Sequence, residues 1–64
     1  MVRVHFTDIR DESNDLVTWD DPPIIPVPDD CVYLKGGWFR VHSRKIGREE
    51  DRWLVFVVMV SLDE

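Results

Sequence analysis

Cysteine is almost absent from this chain. Cys31 stands alone, so no internal disulfide can hold the fold, and an unpaired thiol suggests a reducing, cytoplasmic compartment. Metal ligands are as sparse: His5 and His42 are isolated and, with Cys31, form no cluster at the spacing zinc requires. The acids Asp8, Asp11, Glu12 and Asp15 lack the D-x-D-x-D-G order of a calcium loop. No metal and no cofactor are therefore expected. Catalytic constellations are missing too. Cys31 has no His at a motif spacing and reads as a small packed residue near the start of a strand. No motif pairs two carboxylates, and so short a chain is not expected to enclose the usual pocket of roughly 300 Å³ or more. No catalytic residue is assigned, and enzymatic activity is not expected.

Long hydrophobic runs are absent as well. The start, Met-Val-Arg-Val-His-Phe-Thr-Asp, lacks the basic opening and apolar stretch of a secretory signal. The longest uncharged run, Trp53 to Leu62, falls far short of the roughly 20 apolar residues that span a bilayer as a helix. Neither export nor a membrane role is predicted. Helical spacing of apolar residues is missing throughout, and the Pro, Gly and β-branched content opposes any long helix. The predicted class is all-β.

With 64 residues, the chain has room for a single core, so residues 1–64 read as one small β-barrel domain. Domains of this size bury only about 60% of the surface their unfolded chains expose, which leaves stability marginal. Disulfides and metals being excluded as staples, a partner chain remains. The net charge of −5 argues against general attraction to nucleic acid, but the charge is unevenly spread. Residues 1–34 hold two cations against eight carboxylates, a net of −6, whereas residues 35–52 hold six cations against three carboxylates, a net of +3.

What is present is strand pattern. Val2, Val4 and Phe6 alternate with Arg3, His5 and Thr7, the period of a strand with one buried face. From Asp8 to Asp21 the pattern dissolves into acids, Ser and Asn, with Leu16, Val17 and Trp19 as anchors. That stretch is either a functional loop or an edge strand hidden by its polarity. Pro22, Pro23, Pro26 and Pro28 make a stiff extended connector. The Pro23-Ile24-Ile25-Pro26 spacing is formally PxxP, yet no Arg flanks it closely and its aliphatic residues look core-facing. Cys31 to Leu34 reads as a short strand, Gly36-Gly37 as its hairpin turn, and Trp38 onward as the return strand with Phe39 and Val41 inward. Gly47 to Asp51 reads as the next turn. Trp53 to Leu62, rich in β-branched and aromatic residues, is the longest predicted strand.

The stretch Pro26-Val-Pro-Asp-Asp-Cys-Val-Tyr-Leu-Lys-Gly-Gly-Trp-Phe-Arg-Val41 resembles a pattern found in small uncharacterised bacterial and phage proteins with an SH3-like barrel. There a Pro leads to Gly-Asp, an alternating strand, a Gly turn and an aromatic-x-Val strand. The resemblance implies a small SH3-like, partly open antiparallel barrel of about five strands, and implies nothing about activity. The sequence departs from the pattern at Asp29, where Gly is usual. Asp tolerates a left-handed backbone better than most residues, so the turn is expected to survive with some strain.

The last strand is apolar on both faces: Trp53, Val55, Val57 and Met59 on one, Leu54, Phe56, Val58 and Val60 on the other. A single barrel wall needs only one apolar face. The surplus is expected either to lie under the chain's own loop and Pro segment or to form an interface. The second reading makes the chain a non-catalytic protein-protein interaction module. It would self-associate as a homodimer or dock on a larger protein through Trp53, Val55, Val57 and Met59, with Trp38. An alternative is a nucleic-acid-binding module using the basic hairpin 38–52, where Arg40, His42, Arg44, Lys45, Arg48 and Arg52 gather near Trp38. A further alternative is an acidic inhibitor whose carboxylates mimic nucleic-acid phosphate. Acids in loops also simply keep a protein soluble.

Overall fold

The computed structural model describes residues 1–63. It holds five strands and no helix: β1 (Val2–Asp8), β2 (Asp11–Asp20), β3 (Cys31–Leu34), β4 (Gly37–Glu49) and β5 (Trp53–Leu62). They form one sheet in the order β2-β1-β5-β4-β3. Three of its ladders are antiparallel, but β1 and β5 run parallel, with Val4 beside Phe56 and Phe6 beside Val58. The sheet is therefore mixed rather than wholly antiparallel as expected. The reason is parity, because in five strands of alternating direction the first and fifth point the same way. No ladder joins β2 to β3, so the sheet is not closed.

One face of the curled sheet makes the core. Val4 and Phe6 from β1, Val32 and Leu34 from β3, Val41 from β4, and Phe56, Val58 and Val60 from β5 form one buried cluster. Leu16, Val17 and Trp19 from β2 and Ile25 from the connector pack against it. These are the inward positions that period-two alternation assigns, and Phe6 meets Trp19 edge-on at a centroid distance of 4.5 Å.

The polar stretch Asp11–Asp20 is an edge strand, not a loop. Register shifts at Phe6/Thr7 and Thr7/Asp8 bulge β2 at its start, which breaks the alternation there and conceals the strand. The turns also move relative to expectation. The hairpin turn is Lys35-Gly36, with φ of 49° and 80°, because Leu34 pairs with Gly37 across it. Two left-handed residues in succession are what a two-residue hairpin with right-handed strand twist demands. β4 continues through Gly47 to Glu49, and the chain reverses at Glu50 and Asp51, whose φ values are 55° and 58°.

Asp29 holds φ at 76°, as its place in the Gly-containing pattern implies. Its amide donates to the Val41 carbonyl at 2.9 Å, and the Val41 amide donates to the Asp30 carbonyl at 2.9 Å. The connector thereby extends the β3 side of β4 by one residue pair. Left-handed backbone is costly for any residue with a Cβ. Asp29→Gly is therefore expected to hold the turn and to change stability by no more than about 1 kcal/mol, in the stabilising direction, as read by chemical denaturation.

Candidate functional site

The outer face of β5 is where the expected interface lies, and neighbouring side chains already shoulder it. β5 is central, paired to β1 on one side and β4 on the other, so its own edges are spent. On the outer face Val55 lies between Arg3 and Gly47, Val57 between His5 and Lys45, and Met59 between Thr7 and Ser43. Val55 is 7% and Met59 8% exposed, and Trp53 and Val57 are half-buried.

Arg3 does much of this covering. Its guanidinium sits 4.2 Å from the centre of the Trp53 ring, its Nε donates to Asp20 Oδ1 at 2.9 Å, and its Nη1 lies 3.7 Å from Glu49 Oε1. One side chain thus bridges β2, β1, β5 and β4. The hydrogen bond to Asp20 pushes the Arg3 pKa further up, against partial desolvation, so the clasp stays charged throughout the physiological range.

Trp38 does not join this face as one patch. It stands beside the far end of β5, where the Asp63 amide donates to the Trp38 carbonyl. That is ten residues from Trp53, or about 33 Å at strand spacing. There Trp38 stacks edge-on with Tyr33 at 5.3 Å, and both rings are more than half exposed.

The basic residues of β4 separate as well. A register shift between Val41 and Ser43 inserts one extra residue. From there Lys45 shares the outer face with Val57, whereas Arg44, Ile46 and Arg48 share the core face with Val58, Phe56 and Leu54. Arg44 lies 5.6 Å from the centre of the Phe56 ring. Arg40 pairs at 3.7 Å with Asp63, and His42 hydrogen-bonds Ser61 through Nε2. Arg52 lies in the turn beyond. These six residues do not form one surface.

Two features escaped sequence reasoning. The first is Ile46, 63% exposed on the core face next to Phe56; a lone aliphatic within a basic run was its only signal. The second is the edge that Ile46 occupies. β3 pairs with β4 only from Gly37 to Arg40, and the connector adds Val41. Among the described residues no backbone bond reaches the outward edge of β4 from His42 to Glu49.

Cys31 is exposed rather than packed. Its thiol lies 3.5 Å from Asp63 Oδ2, and that hydrogen bond, followed by desolvation, pushes its pKa up, while Arg40 opposes the shift. A raised pKa means less thiolate at neutral pH and slower attack on electrophiles. Asp63→Asn is expected to speed Cys31 alkylation by iodoacetamide at pH 7.5, with the rate–pH curve displaced towards lower pH. An unchanged curve would remove Asp63 as the cause.

The connector also bounds a solvent-open apolar groove of about 600 Å³ between Trp19 and Pro22, Pro23 and Ile24. Among the described residues no three His, Cys, Asp or Glu groups are placed to hold a metal ion, and no helix is long and apolar enough to cross a membrane. No protein-family model, curated protein or solved structure matches the chain.

Proposed function

We propose that this chain is a non-catalytic protein-interaction module that binds an extended segment of a partner along the free edge of β4. The observation that carries this reading is the basic stretch Ser43–Glu49, paired to β5 on one side only and with Ile46 exposed at its centre. An open strand edge offers a row of unsatisfied amides and carbonyls, and natural proteins normally shorten, cover or charge such edges. Backbone pairing there gives affinity, and alternate side-chain positions give specificity. Here the specificity elements are Ile46 for an apolar residue, and Arg44 and Arg48 on either side of it for carboxylates.

We further propose that the sheet is a small SH3-like barrel that has stopped short of closure. Its neighbour order supports this, being the cyclic order of five successive strands opened between β2 and β3. Opening is what leaves edges to bind with, since a closed barrel has none. Docking through the Trp53, Val55, Val57 and Met59 face is the weaker reading, because Val55 and Met59 are buried within the chain.

Titration of isotope-labelled protein with a synthetic ten-residue peptide that carries acid, apolar residue and acid at every second position, with Thr between them, tests the edge reading, because Arg44, Ile46 and Arg48 share one face of β4. Amide shifts are expected to concentrate on residues 43–49. Ile46→Asp, at an exposed site, is expected to leave stability within about 0.5 kcal/mol of the parent and to weaken peptide binding at least tenfold. Shifts that instead follow Trp53 to Met59, or no shifts at all, would overturn it.

Nucleic acid is a second reading, favoured by Arg44 and Arg48 lying exposed on one face of β4. An oligonucleotide bound at low salt with a log–log slope near −0.7 per phosphate contact would support it.

A further inference from the structure

The free edge of β4 is matched by a second free edge with the opposite charge. β2 is the outermost strand on the other side of the sheet, and among the described residues no backbone bond reaches its outward edge. It carries Asp11, Glu12, Asp15 and Asp20 and no cation, whereas β4 from Ser43 to Glu49 carries Arg44, Lys45 and Arg48 against Glu49 alone.

We infer that the occupant of the β4 edge is the β2 edge of a second copy of this chain, so that copies join head to tail into one continuous sheet. This rests on the edge-binding reading above and adds the partner's identity. Charge decides between the possible pairings. Two β4 edges joined about a two-fold axis at Ile46 would set Arg44 of one copy beside Arg48 of the other, twice. Two β2 edges would set carboxylates against carboxylates. Like charges directly opposite in a ladder destabilise it, and opposite charges contribute about 0.2–1 kcal/mol per pair. Only the β4–β2 combination neutralises both edges.

Because the two edges differ, the contact is heterologous, and repetition yields rings or open filaments rather than a closed dimer. The uneven charge of the two halves of the sequence thus has a structural outlet at the two ends of the sheet.

Sedimentation velocity on the intact chain tests this. The weight-average mass is expected to rise between about 10 µM and about 1 mM at low ionic strength, and to return to the monomer value at about 0.5 M salt, where the screening length falls to a few ångströms. Arg44→Glu with Arg48→Glu makes both edges acidic and is expected to abolish association. Glu12→Lys with Asp15→Lys leaves the β2 edge with two lysines against Asp11 and Asp20, so that it no longer complements the basic β4 edge, and is expected to do the same. Mixing the two variants is expected to restore pairwise association, because the unaltered β4 edge of one meets the unaltered β2 edge of the other. Glu12→Lys alone leaves the Asp15 bond to Thr7 in place and is expected to weaken association at least threefold, so the test does not depend on Asp15 being dispensable for folding. Circular dichroism confirms that each variant is folded.

Association that persists in the Glu12→Lys, Asp15→Lys chain alone would overturn the β4–β2 pairing. A chain monomeric at every concentration would overturn self-association. If the acidic peptide still bound residues 43–49 in that case, the edge reading would stand and only the second copy would be wrong. If the peptide failed too, both would fall.

Discussion

Phe6→Ala is expected to unfold the chain. Phe6 is fully buried at the middle of β1, between Val17 of β2 and Val58 of β5, and its ring meets Trp19 edge-on. Removing a buried Phe side chain costs about 3–5 kcal/mol, transfer and cavity terms together. At about 0.05–0.15 kcal/mol per residue, a domain this short holds only about 3–10 kcal/mol in total. Far-ultraviolet circular dichroism and Trp19 fluorescence at 25 °C report the result. A cooperative melt within a few degrees of the parent would show that Phe6 is not the keystone of the core.

Met59→Asp is expected to be nearly as damaging, and it separates two accounts of the outer face. Met59 is 8% exposed and lies between Thr7 and Ser43. Thr7 is itself buried, and its hydroxyl donates to Asp15 Oδ1 at 3.2 Å. A carboxylate at position 59 would enter this site without a cation in the adjacent strand positions and with Asp15 close by. Burying such a charge costs several kcal/mol unless it takes up a proton. The folded fraction is therefore expected to collapse at neutral pH and to recover partly as pH falls below the pKa that residue 59 would adopt in the fold, because protonation removes the buried charge. If the face served only as an interface between chains, the monomer would keep its stability and lose only association. Denaturation at low protein concentration, at pH 5 and pH 8, distinguishes these outcomes.

The parts of the fold legible in the sequence are those where one face is wet and the other dry. β1, β3 and β5 announce themselves by alternation or by β-branched density, and their inward residues Val4, Phe6, Val32, Leu34, Phe56, Val58 and Val60 are the core. The left-handed turn at Asp29 was legible from its neighbours, since the surrounding pattern demands a residue that tolerates positive φ. β2 was ambiguous because a bulged edge strand with an exposed outer side has no continuous period. The parallel pairing of β1 with β5 is invisible in any local window, for it joins residues at opposite ends of the chain. The same gap misplaced the candidate site. Without that pairing, Arg3 could not be set beside Trp53, and the apolar outer face of β5 looked bare. Likewise the bulge at His42 moves Arg44 and Arg48 to the face opposite Arg40, so a run of cations contiguous in sequence is divided in space.

The same end-to-end pairing constrains how the molecule comes into being. The β1–β2 hairpin forms from neighbouring residues, yet the strand that completes its inner side, β5, follows only after β3 and β4. During synthesis on the ribosome, Val4, Phe6 and Trp19 wait without the cover of β5 until Trp53–Leu62 has emerged. Contacts of such long sequence separation fold slowly, so the nascent protein is most aggregation-prone between the emergence of β2 and that of β5.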